Sequence, residues 1–110
     1  MQNKEFVEYI FEKLEELGGF SSESMFGGYV LKRYSLPIAL IFNNEIFLKA
    51  DTENKSFYLD AGSEPFHYYK SGKKIEISNY KVPAEILEDD TCFEKWIMIA
   101  YEAAKRIEMK

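Results

Sequence analysis

A single cysteine, a single histidine and no long apolar run set the first limits on this 110-residue chain. The one thiol, Cys92, forms no internal bridge, a usage that fits a reducing compartment. Next to Phe93 it reads as a small hydrophobe near the start of a helix. The one histidine, His67, has no cysteine near it in sequence, and zinc centres take roughly three or four ligands. No nucleophile elbow accompanies it either, so a Ser-His-acid triad is not assigned. The glycine pair Gly27-Gly28 lacks the Lys-Ser/Thr ending of a phosphate loop and the third glycine of a dinucleotide fingerprint. Catalytic, metal and cofactor residues are therefore assigned to none of these positions. Basic charge is short as well. Lys and Arg number 14 against 19 Asp and Glu, a formal net charge of −5, which weighs against a surface built to grip many phosphates. No stretch approaches the roughly 20 apolar residues that span a bilayer. The opening Met-Gln-Asn-Lys-Glu has no apolar signal core. A cytoplasmic protein is expected.

What the chain does have is apolar and aromatic residues, 46% and 16% of the total, with nine Phe and eight Tyr. At this length that fills one core, and folding is expected to bury about 65% of the unfolded surface. The pattern turns on Met25-Phe26-Gly27-Gly28-Tyr29. Helical periodicity precedes this block and strand periodicity follows it, and paired glycines allow a sharp turn or close backbone approach.

Phe6, Ile10, Leu14 and Leu17, widened by Val7 and Phe11, predict a helix over 3–17. Its glutamates fall on the solvent side, Asn3 serves as N-cap, and Gly18-Gly19 supply a left-handed stop. Residues 20–24 read as a polar connection. Strands are expected at 29–34, 38–42 and 46–50, joined by a Ser35-Leu36-Pro37 turn and an Asn43-Asn44 hairpin. A short helix capped by Asp51 or Thr52 carries Phe57, Tyr58 and Leu59 and ends before Gly62. Two strands, 66–70 and 75–80, form a second hairpin about Ser71-Gly72-Lys73. One helical turn at 84–88 follows Pro83. The last helix runs from about 92 to 108, with Asp89-Asp90 at its positive end and a capping-box spacing at Thr91–Glu94. Its buried stripe is Phe93, Trp96, Ile97, Ala100, Ala104 and Ile107. The fold class is thus α+β. It is two-layered, with an antiparallel sheet of about five strands, a three-strand meander plus a hairpin, and N- and C-terminal helices packed on it.

Two basic groupings remain, Lys32-Arg33 and Lys70 with Lys73-Lys74, each near tyrosines. Mixed cationic and aromatic surfaces hold single-stranded nucleic acid. Lysines that solubilise hairpin ends and discourage edge pairing explain them as well, and the acidic balance favours that explanation.

The order Met25-Phe26-Gly27-Gly28-Tyr29, Ile38-Ala39-Leu40-Ile41, Ile46-Phe47-Leu48-Lys49 resembles the N-terminal domain of the TfoX/Sxy family. Gly62 with Pro65-Phe66 and Tyr68, Tyr80-Lys81-Val82-Pro83 with Leu87-Glu88-Asp89, and Trp96 with Ala100 and Ala104 continue the likeness over nearly the whole sequence. The resemblance implies a two-layer α+β fold and a non-enzymatic regulator of bacterial competence genes, acting on transcription of DNA-uptake functions. Longer members carry a second, helical domain, which has no counterpart in this sequence. The leading expectation is an adaptor, monomeric or homodimeric, that contacts a protein partner such as part of the transcription machinery, without membrane or cofactor. The alternatives are nucleic-acid binding through Lys32, Arg33, Lys70, Lys73 and Lys74, or a small-ligand or enzymatic pocket near the glycine pair.

Overall fold

The computed structural model describes residues 3–25 and 27–109. Phe26 lies outside the described residues, as does the side chain of Asn3, on which the expected cap rests. The first helix, α1, spans Asn3–Lys13. It is shorter than the periodicity predicts, since residues 14–17 continue as turns before the left-handed pair Gly18 and Gly19. Phe6, Val7, Ile10 and Leu14 are buried, so the stripe is correct although its last turn is not helical.

Four strands then form a meander: β1 (Phe20–Met25), β2 (Gly28–Arg33), β3 (Leu36–Phe42) and β4 (Glu45–Lys49). The segment expected as a polar connection is thus a strand, paired with β2 from Phe20↔Arg33 to Met25↔Gly28. The β2–β3 turn is made by Tyr34 and Ser35, both at positive φ, and the chain is extended again by Leu36. Pro37 lies inside β3, opposite an irregularity between Leu31 and Lys32, where a residue without an N–H is tolerated. Asn43 and Asn44 make the β3–β4 turn at φ 52° and 60°.

Helix α2 (Lys55–Asp60) follows, then the hairpin β5 (Pro65–Lys70) and β6 (Lys73–Lys81), the short α3 (Ala84–Glu88) and the long α4 (Asp90–Glu108). Asp51 caps the turn into α2, its Oδ1 accepting from the backbone N–H of Glu53 and Asn54. The cap of α4 is Asp89, one of the two aspartates expected at the positive end of that helix, and it accepts from Cys92 N. The sheet has six strands in the order β1-β2-β3-β4-β6-β5, antiparallel at every pair described.

Helix α4 packs on β3 and β4, and α1 on β2 and β3. Between them lies one core of Phe6, Ile10, Leu14, Leu31, Ile41, Leu48, Tyr58, Phe93, Trp96, Ile97 and Ala100. Ile107, expected in this stripe, is exposed, and Ala103 takes a buried place instead. Phe47 is buried but lies outside this core. It pairs with Leu40, one residue out of phase with Ile46 and Leu48, so strand alternation turns it to the other face of the sheet.

Candidate functional site

That second face is where the glycine block acts. Gly27 takes φ +82°, and Gly28 pairs with Met25 to close the β1–β2 hairpin. Gly28 lies against β3 so closely that a Cβ on it would meet the Ile41 carbonyl oxygen at 2.4 Å and the Phe42 ring at 2.8 Å. Absence of a side chain therefore lets the Phe42 ring lie over the start of β2.

On the far side the β5–β6 hairpin leans onto the same face. The Phe66 ring packs edge-on against Phe47 at 5.0 Å and Phe42 at 5.8 Å, with Tyr68 beyond it at 6.5 Å. Between hairpin and meander is a cleft of about 620 Å³, lined by Met25, Gly28, Leu40, Phe42, Phe66, Tyr68, Lys70 and Ile77 among others. Met25 and Tyr68 stand at its rim, 43% and 44% exposed. The volume falls in the roughly 300–1,000 Å³ range of ligand sites. Its lining is mostly apolar, and the residues with polar side-chain groups among those lining it are Tyr29, Tyr68 and Lys70.

The basic residues singled out in the sequence do not gather into one patch. Lys32 binds Glu23 at 2.8 Å. Arg33 is buried. Its Nε donates to Gly18 O at 3.0 Å and its Nη2 to Leu17 O at 2.9 Å, while the guanidinium lies over Phe20, Tyr34 and Tyr101. It fastens the turn that follows α1 to the sheet and α4, and has no free face for phosphate. Adjacent strand residues point to opposite faces, which is why Lys32 and Arg33 part company. Lys70, Lys73 and Lys74 stand exposed around the β5–β6 turn, with Lys74 next to Glu76 at 3.5 Å. His67 is exposed on β5, edge-on to Tyr69.

A second polar cluster joins α4 to the sheet. Arg106 grips Asp51 through Nε at 2.5 Å and Nη2 at 3.0 Å. These bonds, with the N–H groups of Asn54 and Glu53, overcome the desolvation that opposes them and hold the Asp51 carboxyl down at about 2. Asn54 donates to Lys49 O and Ile99 O, and the Tyr58 hydroxyl donates to Lys49 O. Burial pushes the Tyr58 phenol above its ordinary range. Every member of this cluster is spent on structural bonds. Among the described residues no group of His, Cys, Asp and Glu is placed to hold a metal ion, and no helix is long and apolar enough to cross a membrane.

Comparison with known families decides the relationship: the profile of the TfoX N-terminal domain matches residues 12–104. The chain belongs to that family. No curated protein matches it. Within this TfoX N-terminal domain, the matched span takes in the glycine block, the whole sheet and α4 up to Ala104. Both sides of the cleft therefore belong to the family's own domain. Sequence reasoning found the glycine side of the cleft but missed Phe66, Tyr68 and Ile77 as its other wall. The signal present was a second alternation of apolar residues in 66–77, left over once the helix-facing core was filled.

Proposed function

We propose that this chain is a non-enzymatic regulatory or adaptor domain, related to the regulators of bacterial competence, that acts on transcription through contact with another protein. Membership of the TfoX N-terminal domain family over residues 12–104 carries this reading. The surface that suits it is the outer face of the sheet, where Met25 and Tyr68 are exposed beside an apolar cleft. Exposed apolar area of this kind, rimmed by polar residues, marks interaction sites. The alternative of nucleic-acid binding draws less support, because Arg33 is buried and Lys32 and Lys74 are paired with carboxylates.

A photo-crosslinking residue at Tyr68, with one at the exposed Glu85 as control, tests this in cells. One reproducible adduct at position 68, absent at 85 and containing a component of the transcription machinery, is the expected result. No protein adduct at 68 under conditions that leave the chain folded would overturn the reading.

A further inference from the structure

The cleft has a chemical polarity that its apolar lining alone does not convey. Alternation along β5 places Phe66, Tyr68 and Lys70 on the cleft side, and Lys70 is the charged residue among those lining it. The register sets Lys70 directly across from Lys73. Directly opposed residues of an antiparallel pair share a face, and like charges there are destabilising. Three other sheet lysines are matched, Lys32 with Glu23, Lys74 with Glu76 and Lys81 with Glu45. Lys49, at the end of β4, has no such partner among the described residues and does not line the cleft. Neither Lys70 nor Lys73 has a carboxylate at ion-pair distance among the described residues. An uncompensated pair of ammonium groups thus stands at one end of an apolar cleft, in a chain whose net charge is −5.

We propose that the cleft binds a single-chain amphiphile with an anionic head, of the fatty-acid class, its carboxylate held by Lys70 and Lys73 and its alkyl chain laid over Phe42, Phe66 and Ile77. The carboxylate relieves the repulsion between the two lysines and gains charge-assisted hydrogen bonds. The chain covers a floor that otherwise faces water, and the flexible Met25 at the rim adjusts to its width. A single-stranded nucleic acid needs a basic groove that tracks several phosphates. Two cations at one end of an apolar floor offer one anion site and no track. This inference rests on the cleft and its charges and does not depend on the protein contact proposed above, although that contact uses the rim of the same cleft.

Calorimetric titration of the whole chain with laurate below its micelle concentration tests the proposal, with octanoate, decanoate and dodecyltrimethylammonium as companions. Saturable one-to-one binding of laurate is expected, tightening about fourfold for each methylene buried from octanoate upward. The cationic analogue should not bind. The double variant Lys70→Glu, Lys73→Glu, both sites being exposed, should keep its circular-dichroism spectrum, lose laurate binding at least tenfold and gain affinity for dodecyltrimethylammonium. Affinity independent of chain length would overturn the proposal, as would laurate binding unchanged in the charge-reversed variant. Co-sedimentation with phosphatidylglycerol vesicles while monomeric laurate fails to bind would overturn it too, in favour of a membrane-surface contact.

Discussion

Gly28 and Ile41 approach so closely that a methyl group on the glycine would sit 2.4 Å from the isoleucine carbonyl oxygen. That oxygen is backbone in a central strand and has nowhere to retreat. Gly28→Ala should therefore destabilise by about 2 kcal/mol or more, the range for overpacking against a fixed neighbour. Gly27→Ala meets only the Phe42 ring at 3.7 Å, and its penalty is the φ of +82°, about 1–2 kcal/mol. Urea unfolding of the two variants gives the comparison, and a smaller loss at Gly28 than at Gly27 would contradict the packing argument.

Trp96 is 4% exposed and packs at 5.1 Å from the Phe57 ring and 5.6 Å from Tyr58. Trp96→Ala should cost about 3–5 kcal/mol, the usual penalty for emptying an aromatic site in a core. A measured loss below about 1 kcal/mol would be inconsistent with burial between α4 and α2.

Arg33 answers two carbonyl groups with one planar fork, and a lysine has a single ammonium in its place. Arg33→Lys should cost about 1–3 kcal/mol by leaving the Leu17 and Gly18 acceptors poorly matched. The reverse exchange at the neighbouring position, Lys32→Arg, should be neutral within about 0.5 kcal/mol, because its partner Glu23 is a surface carboxylate. Equal effects at the two sites would mean that Arg33 is not the fastener described.

This pair shows how far the sequence could be read. Periodicity placed α1 and α4 and the two later hairpins, because each buries a stripe or turns on residues with special backbone freedom. It could not place β1, whose Phe20-Ser-Ser-Glu-Ser-Met buries no residue fully. That strand exists through its backbone ladder to β2, which leaves no hydrophobic alternation to see. Phe47 is as apolar as its neighbours Ile46 and Leu48, and composition alone does not separate it from the helix-facing core; its register partner Leu40 assigns it to the opposite face. The cleft was legible on one side only. Its other wall depends on the lean of the β5–β6 hairpin, a contact between Phe42 and Phe66 that no local pattern encodes.

The Asp51–Arg106 bond predicts an acid limb. The carboxyl is held at about 2 against an ordinary 3.8, chiefly by Arg106. A group whose folded value is depressed contributes stability above its unfolded value and loses it as the pH falls through the folded one. Stability should therefore decline by about 1–2 kcal/mol between pH 4 and 2 from this group, allowing for screening at the partly exposed Arg106. Thermal unfolding of Asp51→Asn should show a lower melting temperature at pH 7 and a flatter acid limb. A parallel loss in both proteins across that window would remove Asp51 as its cause.

Duplex DNA should not bind this chain appreciably at physiological salt. Non-specific affinity comes mainly from counterions released at Lys and Arg contacts and usually corresponds to a dissociation constant of about 10⁻⁴–10⁻⁶ M. The chain carries 14 basic against 19 acidic residues, and Glu5, Glu8, Glu12, Glu15 and Glu16 crowd its first 17 positions. Of the basic residues grouped in the sequence, Arg33 is buried, and Lys32 and Lys74 are engaged by Glu23 and Glu76. Lys70 and Lys73 remain, two contacts at one hairpin end, where a duplex needs a row of them. An anisotropy titration of labelled duplex at about 150 mM salt, close to cellular ionic strength, should show no saturation. Saturable submicromolar binding that weakens steeply with salt would instead make nucleic acid the partner, and the Lys70→Glu, Lys73→Glu variant would then show whether the β5–β6 hairpin makes the contact.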